Sequence, residues 1–217
     1  MIIDFSLILK SIPYVLSGLP YTLGISLLSF MVGNVFAIIL AFMRMSQKPW
    51  LKYPARIYIS IMRGVPMLVV LFILYFGLPY VGIQIPALLC AIIGFSTVSA
   101  AYMAEIFRSS ISAVVKGQVG GCSISRTSSK ANYSSHHFTS SPTYCSSTTC
   151  NVIIDMVKSS SLAAMITVPD IFQNAKIIGG REYDYMSMYI LIALIYWTLS
   201  FTFELLQGYL EKRLATY

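Results

Sequence analysis

GVPMLVVLFILYFGLPYVGIQIPALLCAIIGFSTVSAAYMA, residues 64–104, is a run of 41 residues without one Asp, Glu, Lys or Arg. A helix crosses the hydrocarbon core of a bilayer in about 20 residues, so the run holds parts of two spans. The connector inside it, Gly77 to Pro86, is uncharged, and Tyr75, Phe76 and Tyr80 suit an interfacial aromatic belt. Upstream, Ser11 to Met43 is a second uncharged run, of 33 residues, with room for one span. The whole chain of 217 residues is 57% hydrophobic and 11% charged. Soluble domains carry about 25% charged residues, so a water-facing surface cannot be covered with what is here. Long apolar runs in lipid must satisfy their backbone internally, as helices. The fold class is therefore an all-α membrane protein.

Working outward, five spans are expected: residues 19–43, 57–78, 86–107, 151–172 and 186–207. Lys and Arg in short loops set orientation. Four lie between Arg44 and Arg56, four between Arg108 and Lys130, and two in the tail at Lys212 and Arg213. The loop after the second span has none, and the one after the fourth has two, Lys176 and Arg181, balanced by Glu182 and Asp184. The richer set belongs in the cytoplasm, which puts the N-terminus outside and the C-terminus inside, with one long cytoplasmic loop over about 108–150. The opening MIIDFSLILK lacks the charge order and cleavage site of a secretory signal and reads as a short tail into the first span. The net charge of +7 is spread between apolar segments, which suits membrane orientation rather than nucleic acid.

Residues 120–150, GGCSISRTSSKANYSSHHFTSSPTYCSSTTC, break the pattern: 15 of these 31 residues are Ser or Thr. Both histidines and three of the four cysteines fall here. A metal site on Cys122, His136, His137, Cys145 and Cys150 is poorly supported, because only the two last cysteines approach ligand spacing. A plain disordered loop is the composition-based alternative.

The flanks carry a resemblance. Arg63-Gly-Val-Pro-Met67, Tyr75-Phe-Gly-Leu-Pro79, Ala101-Tyr-Met-Ala-Glu-Ile-Phe-Arg108, Gly117-Gln-Val119, Asp155-Met-Val-Lys-Ser-Ser-Ser-Leu162 and Tyr209-Leu-Glu-Lys-Arg213 are similar, in the same order, to the permeases of bacterial ABC importers for polar amino acids. The resemblance implies a type I importer permease in the inner membrane, partnered by cytoplasmic ATP-binding subunits, an extracytoplasmic solute-binding protein, and a second permease subunit, identical or related. It also implies that the segment after Gly117-Gln118 is the loop that docks into the ATPase, of the form Glu-Ala-Ala-x3-Gly-x9-Ile-x-Leu-Pro. Here Gly120 stands at the Glu position and Arg126 at the Gly position. Residues 120–150 can be back-translated so that reading one nucleotide later gives EAAASLG and, nine residues on, IILP. A compensated frameshift, one base gained near codon 120 and one lost near codon 151, is the expectation. The shifted-frame peptide is rich in helix formers, whereas Ser and Thr compete for backbone hydrogen bonds, so the loop as written is not expected to make a stable coupling helix.

The candidate coupling positions are accordingly Gly117, Gln118, Gly120 and Arg126, and the candidate solute-path positions are Arg63, Lys158, Ser159 and Ser160. Each has a plainer reading: Arg63 as a snorkelling interfacial anchor, Lys158 in a local pair with Asp155, and the serines in helix packing. Glu105 is expected to pair with Arg108 at i+3 on the surface, Glu204 to be interfacial, and Cys90 to be a buried apolar filler. The chain has no G-x4-G-K-[ST] phosphate loop, so it is not expected to be an enzyme, and no cofactor or metal is expected. A membrane-embedded enzyme would need convergent His, Asp or Glu groups in the spans, and a membrane protein inactivated by the shifted loop is the other alternative.

Overall fold

The computed structural model describes residues 3–124 and 140–214. Within them the chain is helical throughout: α1 Phe5–Leu16, α2 Leu19–Met45, α3 Pro49–Gly64, α4 Met67–Phe72, α5 Ala87–Ile124, α6 Ser140–Ser159, α7 Ile171–Glu182 and α8 Tyr185–Leu214. Where the sequence suggested a tail, Asp4 instead caps α1, its Oδ1 accepting the Leu7 N–H at 3.0 Å, and satisfies one of the orphan amides of the first turn.

Among the described residues, three helices are long and apolar enough to cross a membrane: Leu19–Met45, Ala87–Ser112 and Tyr185–Tyr209. Two further stretches pass the same test only as bent helix pairs. Pro49–Gly64 meets Met67–Val81 at 103°, so the stretch expected as a continuous second span is bent sharply. Pro66 has no N–H to donate and forces the preceding residue out of helical geometry; Val65 is extended, at φ −89° and ψ 131°. Asn151–Ile166 meets Ile171–Glu182 at 50°, across Thr167-Val-Pro-Asp170. After α4 the chain passes through a π-turn, Ile73–Gly77, and a 3₁₀ turn, Leu78–Val81, that ends on left-handed Gly82 at φ +81°.

The third expected span does not stop at Phe107 but continues as helix to Ile124, and α6 starts at Ser140, inside the Ser/Thr-rich stretch. Once a helix is nucleated each further residue adds one hydrogen bond at little cost, which extends both flanking helices into poor helix formers. Gly117, Gln118 and Gly120 thus lie in helical backbone, and Arg126 lies outside the described residues.

The centre of the fold is the contact between α2 and α5. Thr22, Ser26, Ser29, Gly33, Ala37 and Ala41 recur every three or four residues and are the buried stripe of α2. Small residues let helix backbones approach where lipid removes the usual hydrophobic drive. A Cβ on Gly33 would lie 2.1 Å from Ser99 Oγ. Interhelical hydrogen bonds add to this: Ser29 Oγ donates to the Ile92 carbonyl at 3.2 Å and Tyr58 Oη to the Thr97 carbonyl at 2.9 Å. Such bonds contribute about 0.6 kcal/mol each on average. Below the seam, Ile25, Leu71, Cys90, Phe95, Met156 and Ile166 form an apolar core, with Cys90 fully buried as an apolar filler.

Candidate functional site

The bend between α3 and α4 opens a cavity of about 920 Å³ against α5 and α6. Arg63 to Met67 form one wall, Phe95 to Ser109 of α5 a second, and Val152 to Ser159 of α6 the third. Three cations (Arg63, Arg108, Lys158) and two carboxylates (Glu105, Asp155) face it. Glu105 is committed, as its carboxylate takes Arg108 Nε at 2.6 Å and Arg44 Nε at 3.4 Å. The expected i,i+3 pair therefore forms, with Arg44 from α2 as a third member.

Arg63 lays its guanidinium over the Tyr102 ring, 5.4 Å from the centroid. A cation over an aromatic face is held by the ring quadrupole, and both residues line the cavity. Neither Asp155 nor Lys158 takes part in an ion pair among the described residues, so the local pair that their spacing allowed is not made. Both stay exposed to the cavity. Lys158 also borders a smaller cavity of about 230 Å³ with Tyr196, Trp197, Ser200 and Glu204.

Of the solute-path candidates, Arg63, Lys158 and Ser159 meet at one cavity, while Ser160 turns away. It is buried, and its hydroxyl donates to the Val157 carbonyl at 2.7 Å. Sequence reasoning missed Tyr102 and Ser99, because position on a uniformly apolar helix says nothing about which residue faces a hollow. It also missed Asp170. That residue is fully buried, and its Oδ1 caps α7 by accepting the Gln173 N–H at 2.8 Å. The signal was present as a Pro-Asp followed by Gln three residues on, a start-of-helix pattern inside a stretch read as one span. Among the described residues no cluster of His, Cys, Asp and Glu could hold a metal ion.

Residues 33–216 match a family model described as binding-protein-dependent transport system inner membrane component. The chain is 50% identical over 216 residues to "Probable amino-acid ABC transporter permease protein YckA" of Bacillus subtilis (strain 168), covering 100% of this chain and 96% of that one. It is 36% identical over 210 residues to "L-cystine transport system permease protein TcyB" of the same organism, covering 94% and 88%. Among solved structures it superposes on a chain from "Crystal structure of an amino acid ABC transporter with histidines" with TM-score 0.84 and 33% identity, covering 98% of this chain and 100% of that chain.

Proposed function

The chain belongs to the family of binding-protein-dependent transport system inner membrane components, and from this premise we propose that it carries a polar amino acid through the cavity between α3, α4, α5 and α6. As a member of the family it is a multi-pass inner-membrane permease subunit of an ABC importer, and ATP is hydrolysed by a separate subunit. A solute-binding protein and ATP-binding subunits are its general partners.

The observation that supports an amino-acid cargo is the charge layout of the cavity. Arg63 and Lys158, on two different walls, offer cations to a carboxylate, and Asp155, on the same wall as Lys158, offers an anion to an ammonium group. Ionisable groups at membrane depth are costly and tend to mark a solute path. Five candidate crossings are too few to enclose a solute path alone, so a second permease subunit, a copy or a relative, completes it. Equilibrium binding of radiolabelled amino acids to the purified chain tests this reading, and that measurement does not depend on ATPase coupling. A zwitterionic amino acid should bind saturably and be displaced poorly by its methyl ester or its deaminated analogue. Absence of saturable binding by any amino acid rejects the reading.

For residues 120–150 the proposal is a compensated frameshift in a coupling loop. What supports it is that a back-translation of these residues can be chosen whose shifted frame reads Glu-Ala-Ala, the glycine six residues after that Glu, and Ile-x-Leu-Pro, between flanks that keep the family pattern. Sequencing the gene across codons 115 to 155 decides it: removing one base near codon 120 must give an open frame through those motifs, and a stop codon or a non-matching peptide refutes it.

A further inference from the structure

Among the described residues, the charged side chains lining the cavity between α3, α4, α5 and α6 are Arg63, Glu105, Arg108, Asp155 and Lys158. Two of them are committed already. Glu105 takes Arg108 Nε at 2.6 Å and, from α2, Arg44 Nε at 3.4 Å. Arg63, Asp155 and Lys158 take part in no ion pair among the described residues. The uncommitted set is therefore two cations and one anion. The α-carboxylate and α-ammonium of an amino acid balance one cation and one anion, and one cation is left over.

Placement divides these three charges by role. Asp155 and Lys158 stand three residues apart on α6, and positions at that spacing are neighbours on one helix face, about 5–6 Å apart between Cβ atoms. An α-carbon carries its ammonium and its carboxylate side by side, so this pair of opposite charges complements it. Arg63 belongs to a different wall, the end of α3. Its guanidinium lies over the Tyr102 ring, 5.4 Å from the centroid. That contact draws on the charge alone and leaves the planar fork of N–H donors for the two oxygens of a carboxylate.

On the reading that this cavity carries an amino acid, we propose that its cargo is an acidic amino acid and that Arg63 is the residue that selects it. Asp155 and Lys158 hold the charges of the α-carbon, and Arg63 takes the side-chain carboxylate. A neutral side chain seated on Arg63 would strip water from its charge and return no partner, which is costly. A basic side chain would bring a like charge against it. The cavity, about 920 Å³, is within the range of small-molecule sites, so charge and not size makes the choice.

Equilibrium binding of radiolabelled amino acids to the full chain in detergent tests this, with each acid compared against its own amide. L-Glutamate or L-aspartate should bind about tenfold tighter than L-glutamine or L-asparagine, the effect of one charged hydrogen-bonded contact, and L-arginine should bind most weakly. In Arg63→Gln the preference for acid over amide should vanish. In Lys158→Gln both ligands should weaken together and the preference should remain. Arg63→Glu should reverse the order and favour L-arginine. Should the variants fail to fold, the wild-type preference decides alone. Saturable binding of an amide or of arginine with no preference for the acid overturns the proposal while the amino-acid path stands. A preference that survives Arg63→Gln overturns it as well, and no saturable binding by any amino acid removes both readings.

Discussion

Gly18 and Asp170 touch backbone to backbone: a Cβ on Gly18 would lie 2.4 Å from the Asp170 carbonyl carbon and 2.5 Å from the Ile171 nitrogen. The turn between α1 and α2 thereby docks on the start of α7. The Asn174 side chain holds it there, donating to the Tyr14 carbonyl at 3.2 Å and to Ser17 Oγ at 3.1 Å. Glycine at position 18 is a requirement of this approach, because the obstacle is main chain and cannot rotate away.

Gly18→Ala should therefore destabilise by about 1–3 kcal/mol, the usual range for overpacking, or about 2–4 °C of melting temperature per kcal/mol for a chain of this size. Gly24→Ala is the control, since nothing lies within 4 Å of a Cβ at Gly24. Thermal denaturation in detergent compares the two. An alanine at 18 that melts with wild type means that the α1–α2 turn and α7 are further apart than described.

Asp184 predicts a pH effect at the N-terminal end of α8. Its Oδ1 accepts the Ser187 N–H at 3.1 Å and its Oδ2 accepts the Ser187 hydroxyl at 2.5 Å, and these bonds hold the carboxyl below its ordinary value. A depressed carboxyl contributes stability above its unfolded value, about 3.9, and that contribution fades as pH falls through the lower folded value. The protection of the first amides of α8, taken against their intrinsic exchange rate at each pH, should fall on acidification in wild type, and Asp184→Asn should flatten this dependence. Ser187 Oγ also accepts the Asp4 N–H at 3.0 Å, so Ser187→Ala should loosen the N-terminus of α1 as well.

Arg63 separates a solute-path role from a lipid anchor. Arg63→Ala should weaken amino-acid binding about tenfold, equivalent to about 1.4 kcal/mol, while leaving the melting temperature unchanged. Arg63→Lys keeps the charge but loses the planar stacking on Tyr102 and should fall between, at about threefold. Unchanged affinity in both assigns Arg63 to the interface instead.

Topology and coupling are checked together in cells. A reporter after Tyr217 should be cytoplasmic and one inserted near Gly82 external. With the cognate ATPase, the chain as written should assemble weakly, and replacing residues 120–150 by the shifted-frame peptide should restore the complex and substrate-stimulated ATP hydrolysis. Tight, stimulating assembly by the unmodified chain removes the case for a damaged loop.

The sequence by itself determined the membrane environment and the all-helical class, because transfer of apolar residues into lipid is a sum over local segments that needs no knowledge of neighbours. Uncharged runs such as Gly64–Ala104 carry that information in full. It also placed Arg63 and Lys158 among the candidates, since a charge within or beside a span stands out against its surroundings. The bends belong to the tertiary structure. Pro66 and Pro169 are visible as helix breakers, yet whether a breaker kinks a span, ends it or turns it by 103° depends on what packs against the freed backbone. The same holds for polar residues. The hydroxyls of Ser159 and Ser160 differ by one position in the sequence, and one faces a cavity while the other is sealed inside. Asp170 shows the limit most clearly: it is fully buried because the α1–α2 turn, α2 and α7 converge where Gly18 meets its carbonyl and Thr22 meets the Ile171 N–H, and no local pattern encodes that convergence.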